Sequence, residues 1–173
     1  MSHTIRELFA NPIERRIEEV IKVDETDETL VADEIREYVI TNSIRSSFTT
    51  ILDRYLETPN RPHEGIAIWV SGFYGSGKSS FAKLLGLALA NRSIAGKGAA
   101  ERLAERTTDD KLRLLLRTIP EKIPTEAVVF DVASDRGIRT GNQMLTEILY
   151  RVFLQQLGYA RDLDLAELEI TLE

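Results

Sequence analysis

The chain of 173 residues contains no cysteine, which excludes a disulfide framework, thiol catalysis and any thiolate metal site. Histidine is nearly as scarce. His3 lies in the N-terminal segment and His63 in a proline-flanked loop, neither with a companion at metal-ligand spacing, so both read as surface residues. No apolar run approaches the length of a membrane span, and the N-terminus lacks a basic-then-apolar leader. The expectation is a cytoplasmic protein without membrane contact. Positive charge is also short: 22 Lys and Arg stand against 28 Asp and Glu, a net charge of −6. That balance argues against a broad nucleic-acid-binding face and leaves DNA contact only to a larger assembly.

What is present is concentrated in one octapeptide. Residues 72–79 read Gly-Phe-Tyr-Gly-Ser-Gly-Lys-Ser and fit the phosphate-binding loop G-x-x-x-x-G-K-[ST] at every fixed position. With glycine at about 7% of residues and comparable lysine and serine usage, a chance match in a chain of this length is on the order of one per cent. The run Ile66-Ala67-Ile68-Trp69-Val70 before it is short, apolar and β-prone, the pattern of a buried parallel strand. After it, Phe81, Leu84, Leu85, Ala88 and Leu89 recur at helical spacing. The sequence thus predicts strand, glycine loop and helix.

Such a loop meets a triphosphate with unpaired N–H groups and the positive end of a helix dipole. Gly72, Gly75 and Gly77 allow the backbone to curl closely around phosphates, and Ser76 and Ser80 contribute mainly through their positions in the cradle. Lys78 is the expected catalytic cation at the β- and γ-phosphates, and the Ser79 hydroxyl the expected Mg²⁺ ligand. No guanine-reading N-K-x-D occurs, so ATP is the favoured nucleotide, with GTP left open. Phe73 and Tyr74 either shield the site or pack on a neighbouring segment; packing is the simpler expectation. Trp69, on the expected strand, reads as core.

The remainder divides into a mainly helical region, 1–60, and the first part of a nucleotide-binding domain, 61–173. Residues 4–9 suit a short helix and Val20–Val23 a strand. The acidic cluster Asp24–Glu28 suits the first turn of a helix running to about Val39. Ser43 is placed to cap the next helix, whose apolar face is Ile44, Phe48, Ile51, Leu52, Tyr55 and Leu56. That face has two outlets, self-association with a neighbouring subunit or packing against residues 66–90. Asn91–Gly98 reads as a break, followed by charged helix to about Thr118, interrupted near Thr107, and by a second break between Pro120 and Pro124. Ala127–Val132 reads as a second buried strand. Thr140 and Gln143 form a capping box for a helix with Leu145, Ile148, Leu149, Val152, Phe153 and Leu157 on one face, stopped by Gly158. Asp164 is placed to cap the last helix.

Two strands are too few for an α/β nucleotide-binding sheet, which needs about five or six. The fold class predicted is α/β, an incomplete P-loop NTPase core behind a helical N-terminal region. Asp131, at the end of the second apolar run, is the one candidate for a second Mg²⁺-side carboxylate, but no acidic partner adjoins it; a surface or helix-entry aspartate on a non-catalytic strand is the simpler reading of that position. Arg136 and Arg139 read as solvated.

The segments Ile5-Arg6-Glu7-Leu8-Phe9, Val20–Glu28, Glu37–Thr41 and Ile68–Ser79, with its aromatic residues after the first glycine, resemble the N-terminus of the BrxC/PglY family. These are large P-loop ATPases of bacteriophage exclusion (BREX) systems. The similarity spans most of 4–90 and, more weakly, 126–172. It implies an N-terminal part of a longer ATPase acting in anti-phage defence, with other system proteins as partners. Gly72, Gly77, Lys78 and Ser79 match the family's phosphate loop; its later motifs have no counterpart here, so binding with little or no hydrolysis is expected. Two other readings share the loop: a nucleotide-gated assembly module without turnover, and a small P-loop kinase.

Overall fold

Asp27 starts the first long helix. Its carboxylate accepts from the Thr29 and Leu30 N–H groups at 2.8 and 3.3 Å, satisfying donors that a helix start leaves free. The structure, a computed structural model, describes residues 4–9, 22, 25, 27–61, 67–130, 145–160 and 162–172. After a 3₁₀ turn at Ile5–Leu8, the chain forms α1 (Glu28–Glu37), α2 (Asn42–Leu56) and α3 (Lys78–Leu89). A short hairpin of β1 (Ser93–Ile94) and β2 (Lys97–Gly98) follows, then α4 (Ala99–Ala104), α5 (Asp110–Lys122), α6 (Leu145–Gln156) and α7 (Leu163–Leu172). The α2 cap is Thr41, whose hydroxyl accepts from Ile44 N at 3.3 Å, rather than Ser43. The α7 start is held by Asp162, which accepts from the Asp164 and Leu165 amides at 3.1 and 3.3 Å, rather than by Asp164.

The expected α/β class is overturned. Among the described residues the only sheet is the antiparallel pair β1–β2, and helices make up most of the rest. Residues 67–70 and 127–130, taken from sequence as buried parallel strands, join no ladder. Trp69 is 92% exposed, with Ile68 and Val70 also exposed. The physical reason is that a β-prone apolar run specifies a preference, whereas a strand exists only when neighbours supply its hydrogen bonds. Here the two candidate segments do not supply them to each other. Residues 127–130 are instead half-buried against α3. A Cβ at Gly86 would come within 3.2 Å of Val129 Cγ2, so the glycine sets how closely this segment can lie on the helix.

The core is a helical layer. Val31 and Ile35 of α1, Phe48 and Leu52 of α2, Leu84 and Ala88 of α3, and Leu112, Leu116 and Ile119 of α5 form one buried cluster with α4. Phe48 and Phe81 meet at 4.6 Å between ring centroids, tilted by 39°, a spacing within the favourable range for aromatic pairs. The apolar face of α2 therefore packs within the chain, but chiefly on α5, outside the 66–90 outlet read from sequence; within that range Phe48 meets Phe81. The α5 helix continues through Pro120 to Lys122, past the break expected there. Proline in the last turn removes one helical hydrogen bond, and Ile123 N still closes on Ile119 O at 2.8 Å.

One buried charge ties α3 to α1. Lys83 is 2% exposed. Its ammonium meets Glu34 Oε2 at 2.6 Å and donates to the Lys22 carbonyl at 2.7 Å. Toward the C-terminus, α6 and α7 bury only Ile148, Leu154 and Ala166. Leu149, Phe153 and Leu157 of the stripe expected to face a core are about half exposed. Gly158 ends the α6 region at φ 95°, as its position after the apolar stripe predicts. Apart from Lys22, the strand expected at Val20–Val23 lies outside the described residues, as does the capping box at Thr140 and Gln143.

Candidate functional site

The octapeptide folds as a glycine loop that runs directly into the N-terminus of α3. Gly75 and Gly77 adopt φ values of 77° and 83°, in the left-handed region that a Cβ disfavours. Gly77 is the residue immediately before the helix, and Phe81 N closes the first turn on Gly77 O at 2.9 Å. The N–H groups of Lys78, Ser79 and Ser80 are left without intrahelical acceptors by helix geometry, and they face the direction in which the helix dipole is positive. At Gly72 the constraint is space: an added Cβ would lie 2.7 Å from Ser76 Oγ.

Lys78 is half-buried and bends back over the loop, donating from Nζ to the Phe73 carbonyl at 2.7 Å. The same carbonyl accepts from Ser76 N at 3.2 Å. The ammonium thus occupies the mouth of the loop and is held by a neutral acceptor, not by a carboxylate. An incoming phosphate offers it an ionic acceptor, and hydrogen bonds between charged groups are about twice as strong as neutral ones. Ser79 is exposed and Ser80 half-buried in the first turn of α3. Phe73 and Tyr74 are 91% and 98% exposed; the expected packing on a neighbouring segment is absent among the described residues.

A cleft of about 700 Å³ opens from this loop toward α2. Its walls are Tyr38, the face of α2 carrying Ser43, Ser46, Ser47 and Thr50 with Ile44 and Ile51, residues 68–73, the loop's Ser76, Gly77 and Lys78, and Phe81. Lys78 is the one charged side chain among these lining residues. Among the described residues the cleft therefore has a cation at one end and no carboxylate in its lining, a local charge opposite in sign to the net −6 of the chain.

Of the residues expected at the site, Gly72, Ser76, Gly77 and Lys78 line this cleft, and Gly75, Ser79 and Ser80 are their chain neighbours. Asp131 lies outside the described residues. No cluster of three or more His, Asp or Glu side chains arranged to hold a metal occurs among the described residues. The donor set nonetheless suits Mg²⁺ in one respect: this ion keeps several waters and binds through few protein groups plus substrate phosphates, and Ser79 offers one exposed hydroxyl beside the loop.

The sequence reading missed the opposite wall. Ser43, Ser46, Ser47 and Thr50 line the cleft, and their i, i+3, i+4, i+7 spacing was a visible signal of one hydroxyl-bearing helix face. Tyr38 and Trp69 join them, Trp69 having been assigned to the core. Burial raises the Tyr38 phenol above its ordinary value, so it remains protonated and able to donate at neutral pH. Among the described residues no helix is long and apolar enough to cross a membrane. No protein-family model matches the chain, and no solved structure gives a significant match to it.

Proposed function

We propose that the chain binds ATP through the loop 72–79 and forms the nucleotide-binding part of a larger cytoplasmic ATPase. The observation that carries this reading is the placement of Lys78: one cation, at a helix N-terminus, behind two left-handed glycines, in a cleft with no carboxylate among its described lining residues. In the bound state Lys78 exchanges the Phe73 carbonyl for β- and γ-phosphate oxygens, and the N–H groups around Gly75–Ser80 cradle the chain of phosphates. Ser79 is the side chain that would hold Mg²⁺, which when bound supplies charge neutralisation at the phosphates. Hydrolysis of ATP is attack by water on the γ-phosphorus with departure of the bridging oxygen on ADP. The described lining offers hydroxyls but no carboxylate or carboxamide to activate that water, and the reading proposed is binding with little turnover by the chain alone. The setting proposed is phage exclusion, supported by the resemblance of 5–9, 20–28, 37–41 and 68–79 to the BrxC/PglY proteins.

Titration calorimetry with MgATP tests the reading. The wild-type chain binds, and Lys78→Ala lowers affinity by about 100-fold, the scale of losing charge-assisted hydrogen bonds to phosphate, with an unchanged melting temperature. Equal affinity in the two proteins refutes the assignment. Steady turnover by the isolated chain at about 1 s⁻¹ or more, the range of working phosphotransferases, refutes its restriction to binding.

A further inference from the structure

The phosphate loop occupies only one end of the cleft. A triphosphate seated on Gly77 and Lys78 would fill only part of a cleft of about 700 Å³ whose lining reaches α2. That volume falls within the roughly 300–1,000 Å³ of sites that enclose a whole small-molecule ligand. The far end differs chemically from the near one. It has no charge; its polar groups are the hydroxyls of Ser43, Ser46, Ser47 and Thr50, with Tyr38 beside them. Hydroxyls donate and accept by rotation, which suits a sugar and the edge of a base better than another anion.

Trp69 adds the second observation. It lines the same cleft and leaves 92% of its surface in water, although indole gains more from burial than most side chains. Its aromatic face is therefore available for stacking in the same cleft that the hydroxyls line. On the other side of α2, Phe48 and Leu52 are locked in the core, so the hydroxyl stripe is held toward the cleft by packing behind it.

We propose that the α2 side of the cleft is the nucleoside subsite, with the base stacked on Trp69 and the sugar hydrogen-bonded by the Ser43–Thr50 stripe. This rests on the reading of the loop as a phosphate site and extends it to the other half of the ligand. Stacking is tolerant of base identity, in keeping with the absence of a guanine-reading motif.

The test separates the two halves by using MgATP and magnesium tripolyphosphate as probes on the chain as it stands. Calorimetry on the wild type is expected to give ATP an advantage of at least about tenfold over tripolyphosphate, the gain from stacking one base on an aromatic side chain. Trp69→Ala, and separately Thr50→Trp, which fills the cleft, are expected to remove that advantage while tripolyphosphate still binds; retained tripolyphosphate binding also certifies that each variant is folded. The chain's one tryptophan gives an independent signal: its emission changes on adding ATP and not on adding tripolyphosphate. Equal affinities for the two probes in the wild type, or an ATP advantage that survives both substitutions, overturns the subsite and leaves the phosphate loop standing. Failure of both probes to bind overturns the loop reading and the subsite with it.

Discussion

The helices behind the loop and the segment leading into it treat apolar side chains in opposite ways. Phe48, on α2, has no exposed surface and stacks at 4.6 Å on Phe81 of α3. Trp69, on the irregular segment a few residues before α3, is 92% exposed, and Phe73 nearly as much. Electrostatics divide the same way. On the packed side, lysines close onto carboxylates: Lys83 on Glu34, Lys97 on Glu105, Lys111 on Asp53. Lys78, at the loop, closes only on a backbone carbonyl. One region has its interactions satisfied internally, whereas the other holds an aromatic surface and a cation that its neighbours leave available. Under the proposed function the first region is the scaffold and the second is where the nucleotide adds contacts.

Paired truncations break or sustain this contrast most directly. Phe48→Ala removes a fully buried ring that touches Phe81 and the core between α2 and α3. Large-to-small substitutions of this kind cost about 3–5 kcal/mol, transfer and cavity terms together. Trp69→Ala removes a larger side chain yet is expected to change stability by no more than about 0.5 kcal/mol, as exposed substitutions do. Urea unfolding of both variants decides it. Comparable losses would mean that Trp69 is packed in solution and that the two regions are not distinct.

This contrast also explains what was legible in the sequence. The helices were readable because their signals are local: the acidic cluster Asp24–Glu28 at a helix start, the Phe48 and Leu52 stripe, the apolar positions after the glycine loop, Gly158 at a stop. The loop was readable for the same reason, its geometry being written in glycines and one lysine. The sheet was not, because 66–70 and 127–132 announce only that they are apolar and β-prone, and pairing depends on other segments lying beside them. The same error placed Trp69 in the core. The hydroxyl wall of the cleft was missed because Ser43, Ser46, Ser47 and Thr50 look like any solvated helix face until α2 is seen across from the loop. Lys83 gave no signal at all: a lysine in an amphipathic helix reads as surface, and only the approach of Glu34 and the Lys22 carbonyl accounts for its burial.

Lys83 sharpens the comparison at intermediate magnitude. Its ammonium is enclosed, with Glu34 19% exposed beside it. Lys83→Met preserves most of the buried methylene stem and leaves both the Glu34 carboxylate and the Lys22 carbonyl without their partner. Stranding one half of a buried pair costs about 3–5 kcal/mol when enclosure is complete; partial access of water to Glu34 reduces this to about 2–3 kcal/mol. Adding Glu34→Gln to Lys83→Met should recover part of the loss, since the stranded charge is then gone. Denaturant midpoints of the single and double variants measure both. A double variant less stable than Lys83→Met alone would show that the pair is not the source of the effect.

The smallest expected effect lies at the hairpin, where the packed side reaches the surface. Glu105, just past the end of α4, accepts from Lys97 of β2. That hydrogen bond, with the charges of Lys97, Arg102 and Arg117, outweighs slight burial and holds the Glu105 carboxyl below the usual range. A carboxyl whose pKa is lower in the folded state adds stability above its unfolded pKa, about 4.3. The contribution fades as pH falls through the folded value, because the unfolded chain then binds the proton more readily. Glu105→Gln should therefore lower the melting temperature slightly at pH 7, and the difference from wild type should shrink to nothing in strong acid. The pair is exposed, so added salt at pH 7 should also reduce the difference. A gap between variant and wild type that is the same at pH 7 and in acid would mean that the glutamate acts through packing rather than charge. Lys97 would then be no more engaged than Lys78, and the electrostatic half of the contrast between the two regions would fail.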